Sequence, residues 1–286
     1  MKVHKFYALT IYSIIFIVLD FIVHVFFAIN INVGFFLARM DRKALLKRLY
    51  EKNLAETKQK IKESVKADHL IIQAINAISE LSRNANVTAR RLKEWYALYS
   101  PEIVANYEDN EQFVDEILRK PKKKILGELG LKNNQNMGAD LLKEDVDQIL
   151  TLSEALKRLY HEIENLKLYL ETTFKRACPN THELSGSLVG AQLLEHAGSL
   201  KNLASMTASK IQLLGAEKAL FRHLRTGAKS PKHGLLIQHN YVAGSKNKGK
   251  AARHLADKIS IAARVDYFKG EFIGDRLKSE LMDKKD

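Results

Sequence analysis

Residues 141–174 read LLKEDVDQILTLSEALKRLYHEIENLKLYLETTF, and in them Ile149, Leu152, Leu156, Leu159, Ile163, Leu166 and Leu170 alternate three and four apart without a break. That alternation puts all of them on one side of an α-helix, as a heptad seam. A lone helix leaves such a seam in water, whereas each fully buried Leu or Ile stabilises by roughly 1.5–3 kcal/mol. The seam therefore requires a long helix lying along it. That partner is an earlier helix of the same chain, the same helix of a second copy, or both.

Working outward, the chain on either side also reads as helices. Upstream, Ile71, Ile72, Ile75, Ile78 and Leu81 stand at core spacing, after a stripe begun by Leu45, Leu46, Leu49 and Tyr50. Trp95, Tyr96 and Tyr99 continue an apolar face that ends at Pro101, so they are expected in the core. Phe113, Val114, Ile117 and Leu118 suggest a short helix ended by Pro121 and Lys122–Lys124, a run that is a solvated turn or a reach toward phosphates. Downstream, residues 184–196 form a helix closed by Gly198. The run 235–242 is apolar and of unassigned type. In a helix over 251–264, Leu255, Ile259 and Ala262 face inward while Lys250, Arg253 and Lys258 face out. Of 286 residues only four are proline, and none of these precedes residue 100. The expectation is an all-α protein with a long coiled-coil arm and a compact helical C-terminal domain. Its divisions are 1–40, a hydrophobic N-terminal segment; 41–105, a helical base; 106–178, the arm; and 179–286, the C-terminal domain.

Formal net charge is +13, which points to a polyanionic partner: nucleic acid or an acidic membrane surface. The charge concentrates in residues 215–234, GAEKALFRHLRTGAKSPKHG. The first half reads as a helix with Ala216, Ala219, Leu220 and Leu224 on one face and Lys218, Arg222 and Arg225 on the other. The second half is a loop set by Gly227, Pro231 and Gly234, carrying Lys229 and Lys232. Against these cations stands a single acid, Glu217. A basic helix face running into a basic loop suits phosphates.

Three runs in fixed order, LGAEKALFRHLRTGAKSPKHG (214–234), SKNKGKAARHLADK (245–258) and AARVDYF (262–268), join DHLIIQAINAISEL (68–81) and RLKEWYALYSPEI (91–103). Together they resemble the Nop domain of archaeal and eukaryotic C/D-box ribonucleoprotein core proteins, over about residues 33–280. The resemblance implies a non-catalytic scaffold in a particle that directs RNA 2′-O-methylation. It would bind C/D-box guide RNA at a kink-turn already held by a small ribosomal-type protein, touching both. It also implies self-association through the arm, by Ile149, Leu152, Leu156, Leu159, Ile163, Leu166 and Leu170, and a cytoplasmic, archaeal-type setting. A-form RNA hides its bases, so backbone shape and splayed nucleotides are what such a protein reads. Lys218, Arg222, Arg225, Lys229 and Lys232 are the expected phosphate contacts, with Lys250 and Arg253 secondary. His223 either stacks on or hydrogen-bonds a base, or is a half-buried helix histidine. Gly215 and Ala216 keep the helix start low for close approach.

The N-terminus departs from the family. Relatives carry there a globular domain that docks fibrillarin, and residues 1–40 are too short to build it, so fibrillarin binding is expected to be weak or lost. Residues 6–38 are long and apolar enough to cross a bilayer. Asp20 and His24 sit mid-span, a helical turn apart, where they can pair with each other. A remnant of the docking domain or a shifted reading frame is favoured over a membrane anchor; a membrane-tethered adaptor is the alternative.

Catalytic motifs are incomplete. Gly244–Lys250 has the G-x-x-x-x-G-K spacing of a phosphate loop, behind an apolar run that could be a strand, but Ala251 replaces the hydroxyl that binds magnesium. His161–Glu162 and His182–Glu183 each begin a zinc-protease motif whose second histidine is missing, and Cys178 is the sole cysteine. No enzyme activity, cofactor or metal is expected.

Overall fold

The computed structural model describes residues 19–20, 22–25, 42–131 and 136–283. Its backbone contacts divide the chain into Met1–Val65 and Lys66–Asp286. In the first unit residues 42–64 form helix α1, on which every side chain is exposed, including the stripe of Leu45, Leu46, Leu49 and Tyr50. Asp20 and His24 pair as their spacing suggested, with Nε2 3.8 Å from Oδ2. Most of the 6–38 segment lies outside the described residues, and no described helix is long and apolar enough to cross a membrane.

In the second unit α2 (Ala67–Tyr99) buries Ile71, Ala74, Ile75, Ile78, Ala85, Ala89, Leu92 and Tyr96, a stripe stepping three, four and seven residues along one face. It stops because Pro101 follows: the last turn closes with Ser100 N–H on Tyr96 O at 2.8 Å, and Pro101 then opens α3 (Pro101–Asn106). Tyr96 is 3% exposed and meets Tyr99 and Phe113 edge-on, but Trp95 is 37% exposed. The expected core role of Trp95 is thus corrected, because it falls beside the buried stripe and not on it.

Asp109 caps α4 (Asn110–Arg119) by accepting from Gln112 N at 2.8 Å, and α4 buries Phe113, Val114 and Ile117. Helix α4 ends at Arg119, just ahead of Pro121 as expected, and Lys122–Lys124 then open a new helix. This is α5 (Lys122–Glu128), where Lys122 Nζ donates to Tyr99 O at 2.8 Å and lies 3.9 Å from the Tyr99 ring centroid. Proline suits a helix stop as well as a start, and position 121 shows both uses.

The seam runs along α6 (Lys143–Ala177). Ile149, Leu156, Ile163 and Leu170 are buried, and Leu152, Leu159 and Leu166 are half-buried beside them. Their partners are α2 and α4 of the same chain, so the long helix demanded by the seam is an earlier one.

At Cys178 the chain turns into α7 (Pro179–Ala197), broken at Gly186 (φ 67°) and closed by Gly198 (φ 79°). There follow α8 (Leu200–Ser205), α9 (Ala208–Leu213), α10 (Glu217–Thr226), a 3-10 turn (Leu235–Gln238), α11 (Asn240–Ala243), α12 (Lys248–Phe268) and α13 (Gly274–Met282). The unassigned run 235–242 is therefore 3-10 and α-helical. Helix α12 is the axis of this half: Ala251, Ala252, Leu255, Ala256, Ile259, Ala262 and Ala263 are buried against α7, α8, α9 and α13, the alanines allowing close approach. Lys258 does not face out. It is 9% exposed, with Nζ 2.5 Å from Glu280 Oε2 on α13. Asp266 near the end of α12 is buried and accepts from Asn180 N (3.0 Å), Asn180 Nδ2 (2.8 Å), Thr181 N (2.8 Å) and Thr181 Oγ1 (2.7 Å). It places a carboxylate on the first-turn N–H groups of α7. Every regular element among the described residues is helical, as the all-α expectation required.

Candidate nucleic-acid interface

Residues 215–233 leave the helical body and return to it at one place. Gly234 N donates to Gln212 O at 2.9 Å and Leu235 N to Leu214 O at 2.8 Å. A Cβ on Gly234 would stand 1.8 Å from Leu214 O, so only glycine permits this closure. At the outgoing end Gly215 holds φ +80°, with Leu235 packed where a side chain would project. The glycine is thus required by the backbone itself, whatever approaches from outside.

The excursion carries α10, which buries no residue. It ends at Gly227 (φ 67°), whose N–H caps His223 O. His223 is half-buried, with Nδ1 2.5 Å from Ala228 O. A carbonyl only accepts, so Nδ1 carries the proton and Nε2 is the nitrogen left to meet anything else. This hydrogen bond folds the loop back against the helix.

Leu224 is 72% exposed and Phe221 67%, so the apolar face of α10 is not a buried one. Ala219 and Leu220 are half-buried and Leu224 faces solvent. Lys218, Phe221, Arg222, Arg225 and Thr226 border a shallow concavity of about 520 Å³. Phe221 was not singled out from the sequence, although its signal was there: an aromatic three residues after Lys218 and four before Arg225, on one helix face.

A second concavity, of about 450 Å³, is bordered by Lys232, Lys250, Arg253 and His254 at the start of α12. Asn247 caps this start, Oδ1 accepting from Lys250 N at 3.1 Å. The loop is brought onto it at Gly249, where a Cβ would lie 3.3 Å from that of Lys232, and Gln212 Nε2 donates to Lys232 O at 2.6 Å. Lys229 is exposed on the loop between the two concavities in sequence. The structure thus gathers Lys218, Arg222 and Arg225 into one group and Lys232, Lys250 and Arg253 into another. The residues ahead of Gly244 are helical, so the strand that a phosphate loop needs is absent there.

Lys218, Arg222, Arg225, Lys229, Lys232 and Arg253 have no carboxylate partner among the described residues. The one acid in the excursion is engaged elsewhere: Glu217 Oε1 accepts from Gly215 N at 2.7 Å and lies 3.3 Å from His196 Nδ1. Burial pushes this carboxyl up, but the backbone N–H groups of Gly215 and Glu217 and the neighbouring His196 hold it below its ordinary value. An anion approaching α10 therefore meets cations whose charge is not cancelled.

Residues 77–286 match the family model described as Nop, snoRNA binding domain, fibrillarin. The chain belongs to the Nop family. A NOP5 family protein of Methanocaldococcus jannaschii is 39% identical over 242 residues, covering 79% of this chain and 58% of the relative. Nucleolar protein 56 of Schizosaccharomyces pombe is 37% identical over 234 residues, 74% of this chain and 47% of its own length. The chain thus spans about half the length of these curated relatives. A chain of the fibrillarin/Nop5p complex crystal structure aligns with 24% identity and a TM-score of 0.40, covering 78% of this chain and 80% of that one. All the cations described above fall inside the Nop match.

Proposed function

We propose that this chain is a non-catalytic scaffold of a C/D-type guide ribonucleoprotein, one that directs RNA 2′-O-methylation. It grips a kink-turn RNA together with its primary ribosomal-type binding protein, in a cytoplasmic setting. The observation that carries this is the excursion 215–233, a protruding helix with exposed Lys218, Arg222 and Arg225, no carboxylate partner for them among the described residues, and an exposed Phe221 among them. Cations fix the backbone by charge, and an aromatic beside them offers a face to a splayed base. Lys232, Lys250 and Arg253 extend the contact to the start of α12, where backbone N–H groups also favour phosphate. Free Nε2 of His223 supplies one hydrogen bond.

Self-association through α6 belongs to the same reading. Ile149, Leu156, Ile163 and Leu170 are engaged within the chain, so the second copy meets the half-buried Leu152, Leu159 and Leu166. The test is a pulldown offering kink-turn RNA, its primary binding protein and fibrillarin. Retention of the first two together supports the reading, and loss of both overturns it. Fibrillarin is the arm that reports whether this chain also recruits the methyltransferase.

A further inference from the structure

A third cationic concavity lies at the opposite end of α12. It has a volume of about 700 Å³ and is bordered by Lys66 before α2, Arg176 at the end of α6, Lys201 in α8, and Tyr267 and Lys269 at the end of α12. Lys66, Arg176, Lys201 and Lys269 are exposed, and none has a carboxylate partner among the described residues. They come from four separate segments of the chain, so the fold and not a local charge run brings them together.

Two acids border the same cavity, Asp68 and Asp266. Both are already engaged with backbone N–H groups. Asp68 accepts from His69 N at 3.0 Å and Leu200 N at 3.1 Å, and Asp266 takes the four hydrogen bonds at the start of α7. The helix starts thus balance the carboxylates, and the four side-chain cations at the rim are left over.

Lys269 adds an independent observation. It is the sole non-glycine residue with positive φ among the described residues (φ 55°), at the left-handed position that closes α12. Backbone energetics favour glycine there. A lysine kept in that conformation points to a use for its charge. Beside it Phe268 is 77% exposed, with its ring 5.0 Å from that of Tyr267. Tyr267 borders the cavity itself, and an aromatic ring among cations suits a nucleotide better than a free inorganic anion.

We propose that this cavity is a second RNA-backbone site, in which Lys66, Arg176, Lys201 and Lys269 hold phosphates and Tyr267 offers its ring to a base. At 1.5 Å per residue, Lys250 and Tyr267 are about 25 Å apart along α12. One RNA contacting both ends of α12 is then read for direction as well as for the shape of its bend. The inference rests on the RNA-binding reading above.

Its test uses the full chain, a kink-turn guide RNA with its primary protein, and filter binding across a salt series. Lys269→Gly relaxes the backbone, so its thermal midpoint is expected to stay at or above wild type. Its salt slope (log K against log[salt]) is nonetheless expected to flatten by about 0.7–0.9, one phosphate contact, and Lys201→Ala likewise. Flattening by both would establish the site. If Arg222→Ala flattens the slope while Lys269→Gly and Lys201→Ala do not, this site is overturned and the α10 interface stands. If wild type binds no RNA, both fall. If the two variants lose only stabilisation by inorganic phosphate, measured by thermal shift, the cavity is a small-anion site and the RNA assignment is overturned.

Discussion

Asp266 shows how much one side chain can organise. Its carboxylate fills hydrogen bonds from Asn180 and Thr181, more than eighty residues earlier, and Asn180 Oδ1 in turn accepts from Ile273 N at 2.6 Å. Asp266→Ala leaves these buried donors unpaired and is expected to cost about 3 kcal/mol, read as a fall in the urea midpoint at constant slope. His239 is a second case. Nδ1 caps α11 by accepting from Tyr241 N at 3.2 Å, and burial, followed by the charge of Lys278, holds its pKa below the ordinary histidine value. A lowered folded pKa means the neutral ring stabilises the fold. That contribution is complete above the unfolded value of about 6.5 and is lost as pH falls through the folded one. His239→Asn keeps a cap without a titrating ring, so its stability should fall less than that of wild type between pH 7 and pH 5 in paired denaturation curves. Neither role was visible in the sequence. Asp266 lies in a run that reads simply as the end of an amphipathic helix, and a cap is defined by where the next helix starts.

Among the elements, the strongest periodic signals were the most legible. The α6 seam and the Leu255–Ile259–Ala262 face of α12 both packed inward, because a 3–4 repeat of Leu and Ile in a long helix has few alternatives to burial. Leu156 is fully buried between α6 and its neighbours, so Leu156→Ala should cost roughly 2–5 kcal/mol by denaturant titration. The short α10 forms the expected helix, but its apolar face is left uncovered. Its ten residues have an amphipathic pattern, but nothing local says whether a partner covers the apolar face, and here Leu224 stays in solvent. Lys258 departs from expectation the other way: Glu280 on another helix draws it inward. The excursion depends on its closure. Gly234→Ala drives a Cβ into Leu214 O and should detach residues 215–233, seen as fast amide exchange in that segment with the α6 region unchanged.

For the whole molecule, the cations named from sequence alone, Lys229 apart, came to lie in two groups on one excursion and the adjoining helix start. The family runs made them legible. Which neighbours they share, and the exposed Phe221 among them, required the fold. Self-association belongs to this scale too: Leu159→Asp should convert a dimer to a monomer by light scattering, and a monomeric wild type would remove the claim. The salt dependence of kink-turn RNA binding by Arg222→Ala and Arg225→Ala, against wild type, tests the cationic excursion most directly. Each substitution should weaken binding and reduce the slope of log K against log[salt] by about 0.7–0.9; slopes equal to wild type would contradict RNA contact at α10.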